Sequence, residues 1–478
     1  MLKVNCLKKN YFPSVFILLL SLGVITGFSG CESSENQDIT FVGGKIKNPK
    51  GKYVYLSSEK KVIDSARLDD HHKFAFELDS IKEGLYVFNH GPEFQYMYLQ
   101  PTDSVMMYLN TWDFDESLIF SGKGSSKNNF LINLYLQQEK TEKKFKHNYK
   151  LSEQEFSALI DAGIQKQLEL YDVFLGEQET EPSEQFDKLA KTGIYFPFYF
   201  MKEYYPFNHM WMLKLKDFPE LSDEFYAYRK DLDLNDPDLI DYETYFVYTR
   251  TYLYHLAHKK KYLDPDDNNV ELNFMKEVTE KITIPRLKDR LLATSAWRSL
   301  SNEHMTPEQH LAAQNYFFEH CQNEKIRSEL KISLEQKEKL KSGQKLPELI
   351  VVDSHGNEVK VNQVTQDNHT VIYFWPNDLM QIEIVNEKLD KLQKKYPDVK
   401  FIGIERTKKH GEWTAFLESK ELSADNQFKI SEDSECYSWF EGDMARSIIV
   451  NKDGNVLNSY LFFTDKYFDM HVADLKKR

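Results

Sequence analysis

Residues 371–382 are Val-Ile-Tyr-Phe-Trp-Pro-Asn-Asp-Leu-Met-Gln-Ile, an apolar run that ends at Trp375-Pro376. The run predicts a buried strand, and the helical spacing of Leu389, Leu392 and Tyr396 predicts that a helix follows it directly. The first turn of such a helix has unpaired N–H groups and the positive end of the helix dipole, which together activate a cysteine thiol. The stretch contains no cysteine. Its position therefore suits thiol chemistry, but its residues do not.

The chain beyond this stretch continues to alternate strands with helices. Further strands are predicted at 399–404 and 446–450, with a helix around 413–417 between them. Alternation of strands and helices at these lengths predicts a mixed α/β sheet over residues 341–478.

Several short motifs of this region match those of a known family. They are Gly343 with Pro347, the turn 353–356, Phe374-Trp375 and the turn 452–454. In order and spacing the region resembles the membrane-tethered thioredoxin-like thiol-disulfide oxidoreductases. The resemblance covers about Ser342 to Leu461.

The resemblance implies a redox cysteine pair at 379 and 382 and a cis-proline at 445. This chain has Leu379, Ile382 and Ala445 at those positions. Disulfide exchange needs one thiolate to attack and a second thiol to resolve the mixed disulfide. We therefore expect no catalytic residue here, and a degenerate family member without redox activity at this junction.

The junction is instead expected to hold a helix cap and a groove. Asp378 with Gln381 three residues later forms a capping-box pattern. In active relatives an extended polypeptide binds at this place, so the resemblance implies a groove at Trp375, Asp378 and Met380, extended by the residues at the degenerate redox positions. The alternative is that these residues close over a dead site.

The N-terminus has the pattern of a targeting signal. Basic residues precede an apolar core at 15–25, and Ser29-Gly30 comes immediately before Cys31. This arrangement resembles the lipobox of bacterial lipoproteins, which implies that Cys31 is lipidated. An ordinary secretory signal is the alternative. We expect residues 1–30 to be a signal peptide and residues 31–38 a tether to a membrane of the cell envelope. The outer membrane, facing the periplasm or the cell surface, is the expected location.

Two cysteines remain after the signal and the anchor, and they are not in a Cys-x-x-Cys pattern. Cys321 lies one helical turn after Phe317, and Cys436 lies among acidic and aromatic residues. Buried free cysteines behave as small apolar side chains, and we favour that interpretation for both. The rival hypothesis is that Cys436 performs thiol chemistry.

The mature chain ahead of the last domain has two further patterns. Residues 39–126 contain short alternating runs between turns, which predict an N-terminal antiparallel β-sandwich or barrel. Residues 127–340 have helical periodicity, with a capping box at Ser152 and Glu155 and a cap and first-turn proline at Thr306-Pro307. The fold class is thus multidomain α+β, with a helical middle domain and a C-terminal thioredoxin-like α/β domain.

An aromatic stretch, Tyr195–Trp211, stands out in the helical region. It is interpreted as a helix core broken at Pro197 and Pro206, and a groove for glycans or peptides is the alternative. The acidic run 264–271 lacks the spacing of a calcium loop, and His255 with His258 has no third ligand nearby. We expect neither a metal nor another cofactor.

The formal net charge of −14 disfavours nucleic acid as a partner, because phosphate binding needs clustered basic residues. The expected function is binding or assembly in the cell envelope, with the membrane and an envelope protein or peptide as partners. The alternative is a thiol-disulfide oxidoreductase or antioxidant protein that uses Cys436. A glycan-binding role of the aromatic stretch is a third hypothesis.

Overall fold

The computed structural model describes residues 39–475 except 60, 92, 146, 303–304, 377–378, 407–409, 421, 431–445 and 466–467. The stretch from Asp38 to Arg478 forms one compact unit. The signal, Cys31 and the tether expected from the sequence lie outside the described residues. Within the described ranges, no helix combines the length and the apolar composition needed to cross a membrane.

Residues 39–123 form two four-stranded sheets, in the orders β4-β1-β7-β8 and β3-β2-β5-β6. Alternate side chains of the two sheets share one apolar cluster that includes Val42, Phe88 and Met97. The elements are β1 (Ile39–Lys47), β2 (Tyr53–Ser58), β3 (Lys61–Arg67), β4 (Lys73–Asp79), β5 (Gly84–His90), β6 (Glu93–Leu99), β7 (Ser104–Asn110), α1 (Phe114–Ser117) and β8 (Ile119–Lys123).

The prediction that these strands are all antiparallel is wrong at one pair. Strands β1 and β7 run parallel, with Val42 opposite Val105. The two strands are far apart in the chain, and β2, β3, β5 and β6 between them belong to the other sheet. A tight hairpin forces antiparallel pairing, but β1 and β7 have no such link and their direction is free.

Residues 125–339 are helical, as the sequence predicts. Ser152 with Glu155 and Thr306 with Gln309 both form capping boxes, and Pro307 takes the first helical position of its helix. The helices are α2 (Ser125–Phe145), α3 (Glu153–Gly176), α4 (Glu184–Leu213), α5 (Glu243–Leu263), α6 (Val270–Lys281), α7 (Pro285–Ser301), α8 (Pro307–His320) and α9 (Glu324–Lys339), with 3₁₀ turns at Asn148–Lys150 and Glu224–Asp231.

Helix α4 continues through Pro197 and Pro206, so the predicted break in the aromatic stretch is wrong. Pro197 has no N–H for the carbonyl of Gly193, one turn earlier, which would leave that acceptor without its helical partner. The Nε2 amide of Gln138, from α2, donates to this carbonyl instead. A neighbouring helix therefore satisfies the hydrogen bond that the proline removes.

The C-terminal region is the mixed α/β sheet expected from the alternating pattern, with the order β10-β9-β13-β12-β11-β14-β15. Strands β11, β12 and β13 run parallel, while β14 and β15 are antiparallel to their neighbours. The elements are β9 (Ile350–Val352), β10 (Glu358–Lys360), α10 (Val361–Thr365), β11 (His369–Phe374), α11 (Leu379–Lys395), β12 (Val399–Glu405), α12 (His410–Ser419), β13 (Gln427–Lys429), β14 (Arg446–Val450), β15 (Val456–Phe462) and α13 (Phe468–Asp474).

A buried ionic network joins α4 to its neighbours. The carboxylate of Glu203 is completely buried; it accepts from Arg229 Nε at 2.9 Å and from the Tyr228 hydroxyl at 2.7 Å, and His255 Nδ1 lies 2.9 Å from it. Burial alone raises the pKa of Glu203, but the hydrogen bond of His255 and the charge of Arg229 lower it to about 2. His255 is thus a buried partner of this carboxylate.

Replacing Glu203 by glutamine should strongly destabilise the helical region. Arg229 would keep its buried guanidinium without a counter-charge, which costs about 3–5 kcal/mol of unfolding free energy. Because the pKa of Glu203 in the folded chain is below its ordinary value, the stability that it confers is complete above about pH 4.5 and is lost as the pH falls toward 2. Urea denaturation followed by circular dichroism measures both effects.

The control for this experiment is Glu220→Gln, since Glu220 is exposed. It should change the unfolding free energy by less than about 0.5 kcal/mol. Equal stability of the two variants would contradict the role of the network.

Candidate functional site

The end of β11, at Trp375, belongs to the core. Trp375 is completely buried, and its backbone N–H donates to the Ile404 carbonyl at 3.0 Å, which continues the pairing with β12. Its ring packs edge-on against Phe416 at a centroid distance of 5.2 Å. Trp375 is therefore a core residue in the described structure, and the groove expected around it stays a prediction.

A chain of buried hydrogen bonds fixes this tryptophan. Trp375 Nε1 donates to Gln427 Oε1 at 2.9 Å, and Gln427 Nε2 donates to the Tyr373 hydroxyl at 2.9 Å. Burial raises the pKa of Tyr373, so the hydroxyl stays protonated. A Cβ at Gly403 would lie 2.1 Å from Gln427 Oε1, so only glycine leaves room for this chain. The polar side-chain atoms of Trp375, Gln427 and Tyr373 thus hydrogen-bond to one another.

The first turn of α11 carries the two positions that the resemblance assigns to redox cysteines. The helix begins at Leu379, and Ile382 is 1% exposed in an apolar cluster with Val385 and Leu389. Ile382 is therefore a core residue, and its expected part in a groove stays a prediction. At this position the chain has core packing in place of a thiol.

Other residues predicted for the junction cannot be placed. Asp378, Ala445 and Cys436 lie outside the described residues, as does the helix cap expected at Asp378. Met380 belongs to the first turn of α11.

The interpretation of Cys321 as a core residue is confirmed. It directly follows α8 and is 3% exposed in the main apolar cluster of the helical region. Burial raises the pKa of its thiol to about 11. The thiol is therefore protonated at neutral pH and is a poor nucleophile.

A second candidate site is a cavity where the N-terminal strands meet the helices. A cavity of about 490 Å³ is lined by residues of β5, β6, α1, α2, α4 and α5. Aromatic rings form much of its wall, among them Phe94, Tyr96, Tyr135, Phe196 and Tyr248. The rings of Tyr96 and Tyr242 pack edge-on with their centroids 5.6 Å apart, and the ring centroids of Phe196 and Tyr248 are 4.8 Å apart.

Three carboxylates accompany these rings, namely Glu93, Asp115 and Glu243. Among the described residues that line the cavity, none is lysine, arginine or histidine. Arg290, from outside the lining, holds Glu243 in an ion pair at 2.9 Å. Burial, followed by the negative charges of Glu116, Glu93 and Glu139, raises the pKa of Asp115 to about 6.

The aromatic stretch of α4 has mixed surroundings. Phe198 and Tyr205 are core residues, and the Tyr205 hydroxyl donates to the Leu151 carbonyl at 2.8 Å. Phe196 and Phe200 line the cavity, while Trp211 is 73% exposed. The interpretation of the stretch as a helix core is confirmed for most of its residues. Because Tyr205 is buried, it cannot contact a glycan.

The sequence did not identify the cavity, because its walls come from segments up to about 160 residues apart. The available signal was Pro197 within an aromatic run, since Pro197 and its neighbour Phe196 both line the cavity. Within the described part of the chain, no group of three or more His, Cys, Asp or Glu side chains is arranged to hold a metal ion.

No protein-family model matches the chain, and no curated protein matches it. Solved structures are similar to part of it. A proposed thiol-disulfide oxidoreductase from Bacteroides vulgatus is 21% identical, over 29% of this chain and 98% of that one, with a TM-score of 0.25. The thioredoxin domain of a thiol-disulfide oxidoreductase from the same species is 17% identical over 28% and 97% of the two chains, with a TM-score of 0.24. A peroxiredoxin-like protein from Aquifex aeolicus is 20% identical over 29% and 87%, with a TM-score of 0.25.

Proposed function

We propose that this chain is a lipid-anchored protein of the cell envelope with a binding or assembly role, and that its C-terminal domain is a thioredoxin-like domain without redox activity. The single observation that supports this most strongly is Ile382. It occupies the position of a redox cysteine and is packed in the core at 1% exposure.

Disulfide exchange requires two thiols, so an isoleucine at this position bears directly on redox activity. One thiolate attacks the substrate disulfide, a mixed disulfide forms, and a second thiol displaces the substrate while the pair is oxidised. The side chains of Leu379 and Ile382 perform neither step. Cys321 is buried, and its thiol pKa of about 11 keeps it protonated. Cys436 is the cysteine on which the rival hypothesis depends.

The domain assignment rests on motifs and on topology. The junction motifs Phe374-Trp375 and Lys452–Gly454 are in place, and parallel strands β11 and β12 flank α11 as a strand-helix-strand unit. We further propose that the two N-terminal sheets form a β-sandwich, since their facing side chains share one apolar cluster.

A disulfide-reduction assay tests the absence of thiol chemistry. Residues 32–478 should reduce a peptide disulfide no faster than dithiothreitol alone, and Cys436→Ser should not change the rate. The double variant Leu379→Cys/Ile382→Cys restores a thiol pair at the start of a helix, where the thiolate is stabilised, and should accelerate the reaction.

Catalysis by the unmodified chain that Cys436→Ser abolishes would establish the rival function, an oxidoreductase that uses a non-standard cysteine. The expected result is that the unmodified chain and Cys436→Ser are equally inactive, while the double-cysteine variant is active.

The anchor proposal rests on the residues before Cys31 and on the short tether after it. Eight residues, Cys31 to Asp38, precede β1. Even fully extended they span at most about 28 Å. A lipidated Cys31 would therefore hold the N-terminal strands close to the membrane surface, on an anchor that contributes about 0.8 kcal/mol per buried methylene.

Substitution of Cys31 should release the protein. Cys31→Ala removes the acceptor of the lipid, so the protein should move from the membrane fraction to the soluble fraction after cell lysis and ultracentrifugation. Cys321→Ala is the matched control and should stay with the membrane. Continued membrane association of Cys31→Ala would contradict the anchor.

A further inference from the structure

The cavity between the N-terminal strands and the helices has the size of a small-molecule site. Its volume of about 490 Å³ lies within the range of about 300–1,000 Å³ that such sites occupy. It is built from β5, β6, α1, α2, α4 and α5, and each of these elements contributes buried residues to an apolar cluster.

Two aromatic rings of the cavity are unusually exposed. Phe94, on β6, is 51% exposed, and Tyr135, on α2, is 46% exposed. Rings of this size are normally buried, so exposed rings inside a cavity offer surface to a ligand. The face of an aromatic ring carries negative charge density and attracts a cation within about 6 Å.

The charges of the cavity have one sign. Glu93 and Asp115 make no ion pair with any described residue, whereas Glu243 is paired with Arg290 at 2.9 Å. Glu116 on α1 and Glu139 on α2 add negative charge around Asp115. An anionic ligand would be repelled here, and a cation would relieve the repulsion between the carboxylates.

Three polar side chains of the cavity already hydrogen-bond within the protein. Gln138 donates to the Gly193 carbonyl, Gln95 Nε2 donates to the Tyr96 carbonyl at 3.1 Å, and the Tyr96 hydroxyl accepts from the Glu243 N–H at 3.2 Å. A neutral sugar needs several such groups free to bind its hydroxyls, but an ammonium ion needs only rings and carboxylates.

We propose that this cavity binds a small organic ammonium ion, with its cationic head against Phe94 and Tyr135 and its charge balanced by Asp115 and Glu93. The inference goes beyond the proposed function and is independent of it, because the described residues that line the cavity all lie between Leu85 and Tyr248.

The protonation of Asp115 gives this site a pH dependence. The groups that act on Asp115 are Glu116 from its own helix, Glu93 from β6 and Glu139 from α2, and all are acidic. Its pKa of about 6 means that the carboxylate is charged at neutral pH and becomes neutral below that value. Affinity for a cation should therefore fall between about pH 8 and about pH 5.

Calorimetric titration of residues 32–478 with choline tests the proposal. Choline should bind with a dissociation constant of about 1 mM or lower. Its neutral isostere, in which carbon replaces nitrogen, should bind at least about tenfold more weakly, since it has the same shape and lacks the charge. Equal binding of the two would overturn the proposal.

Variants locate the site. Asp115→Asn should weaken choline binding about tenfold, and Phe94→Leu, which keeps apolar bulk but removes the ring, about two- to fivefold. Trp211→Ala is the control, because Trp211 is 73% exposed and lies outside the cavity lining. If Asp115→Asn fails to fold, Glu93→Gln replaces an exposed carboxylate of the same cavity and should also weaken binding.

Three results would contradict the assignment. The first is that choline shows no saturable binding. The second is that maltose binds and choline does not, which would make the cavity a glycan site. The third is that a tetralysine peptide binds and choline does not, which would make it a docking site for basic protein segments.

Discussion

Helix α4 crosses the centre of the helical region and passes Pro197 without the hydrogen bond that this proline cannot donate. The amide of Gln138 supplies the missing donor to the Gly193 carbonyl, and Gly193 itself allows α2 to approach. A Cβ at Gly193 would lie 2.9 Å from both the Leu134 side chain and the Tyr242 hydroxyl. The helix stays continuous because Gln138 of the adjacent helix replaces the hydrogen bond that Pro197 cannot make.

The continuity of α4 has structural consequences at both of its ends. Its first half contributes Phe186 and Ile194 to the main helical core, and its second half contributes Met201 and Tyr205 to a second core. Between them, Phe196 and Pro197 form part of the cavity wall. One helix thus joins two cores and shapes the candidate binding site. At the end of β11, by contrast, the side chains of Trp375, Gln427 and Tyr373 hydrogen-bond to one another.

Local patterns of the sequence predicted much of this architecture. The capping boxes at Ser152 and Thr306 determined two helix starts, since a cap is satisfied within four residues. The alternation after β11 predicted the mixed sheet. The parallel pairing of β1 with β7 was not predictable, because strand direction across a long connection depends on packing of the whole region. The break expected at Pro197 was wrong for a related reason: the compensating donor, Gln138, lies 59 residues earlier.

The candidate sites were likewise predictable only in part. The sequence identified Leu379 and Ile382 by position, but not that Trp375 is enclosed by Gln427 and Phe416, which come from other elements. The cavity escaped notice because Phe94, Asp115 and Tyr135 have no shared local pattern, and only the packing of β6 against the helices brings them together.

The cavity is the proposed binding site, whereas Trp375 and Ile382 are core residues of the C-terminal domain. A crystal structure of residues 32–478 grown with choline tests this most directly. The account predicts the cation within about 6 Å of the Phe94 and Tyr135 rings, with Trp375 and Ile382 still buried at the start of α11. Choline at the start of α11, or a cavity filled by its own side chains, would contradict it.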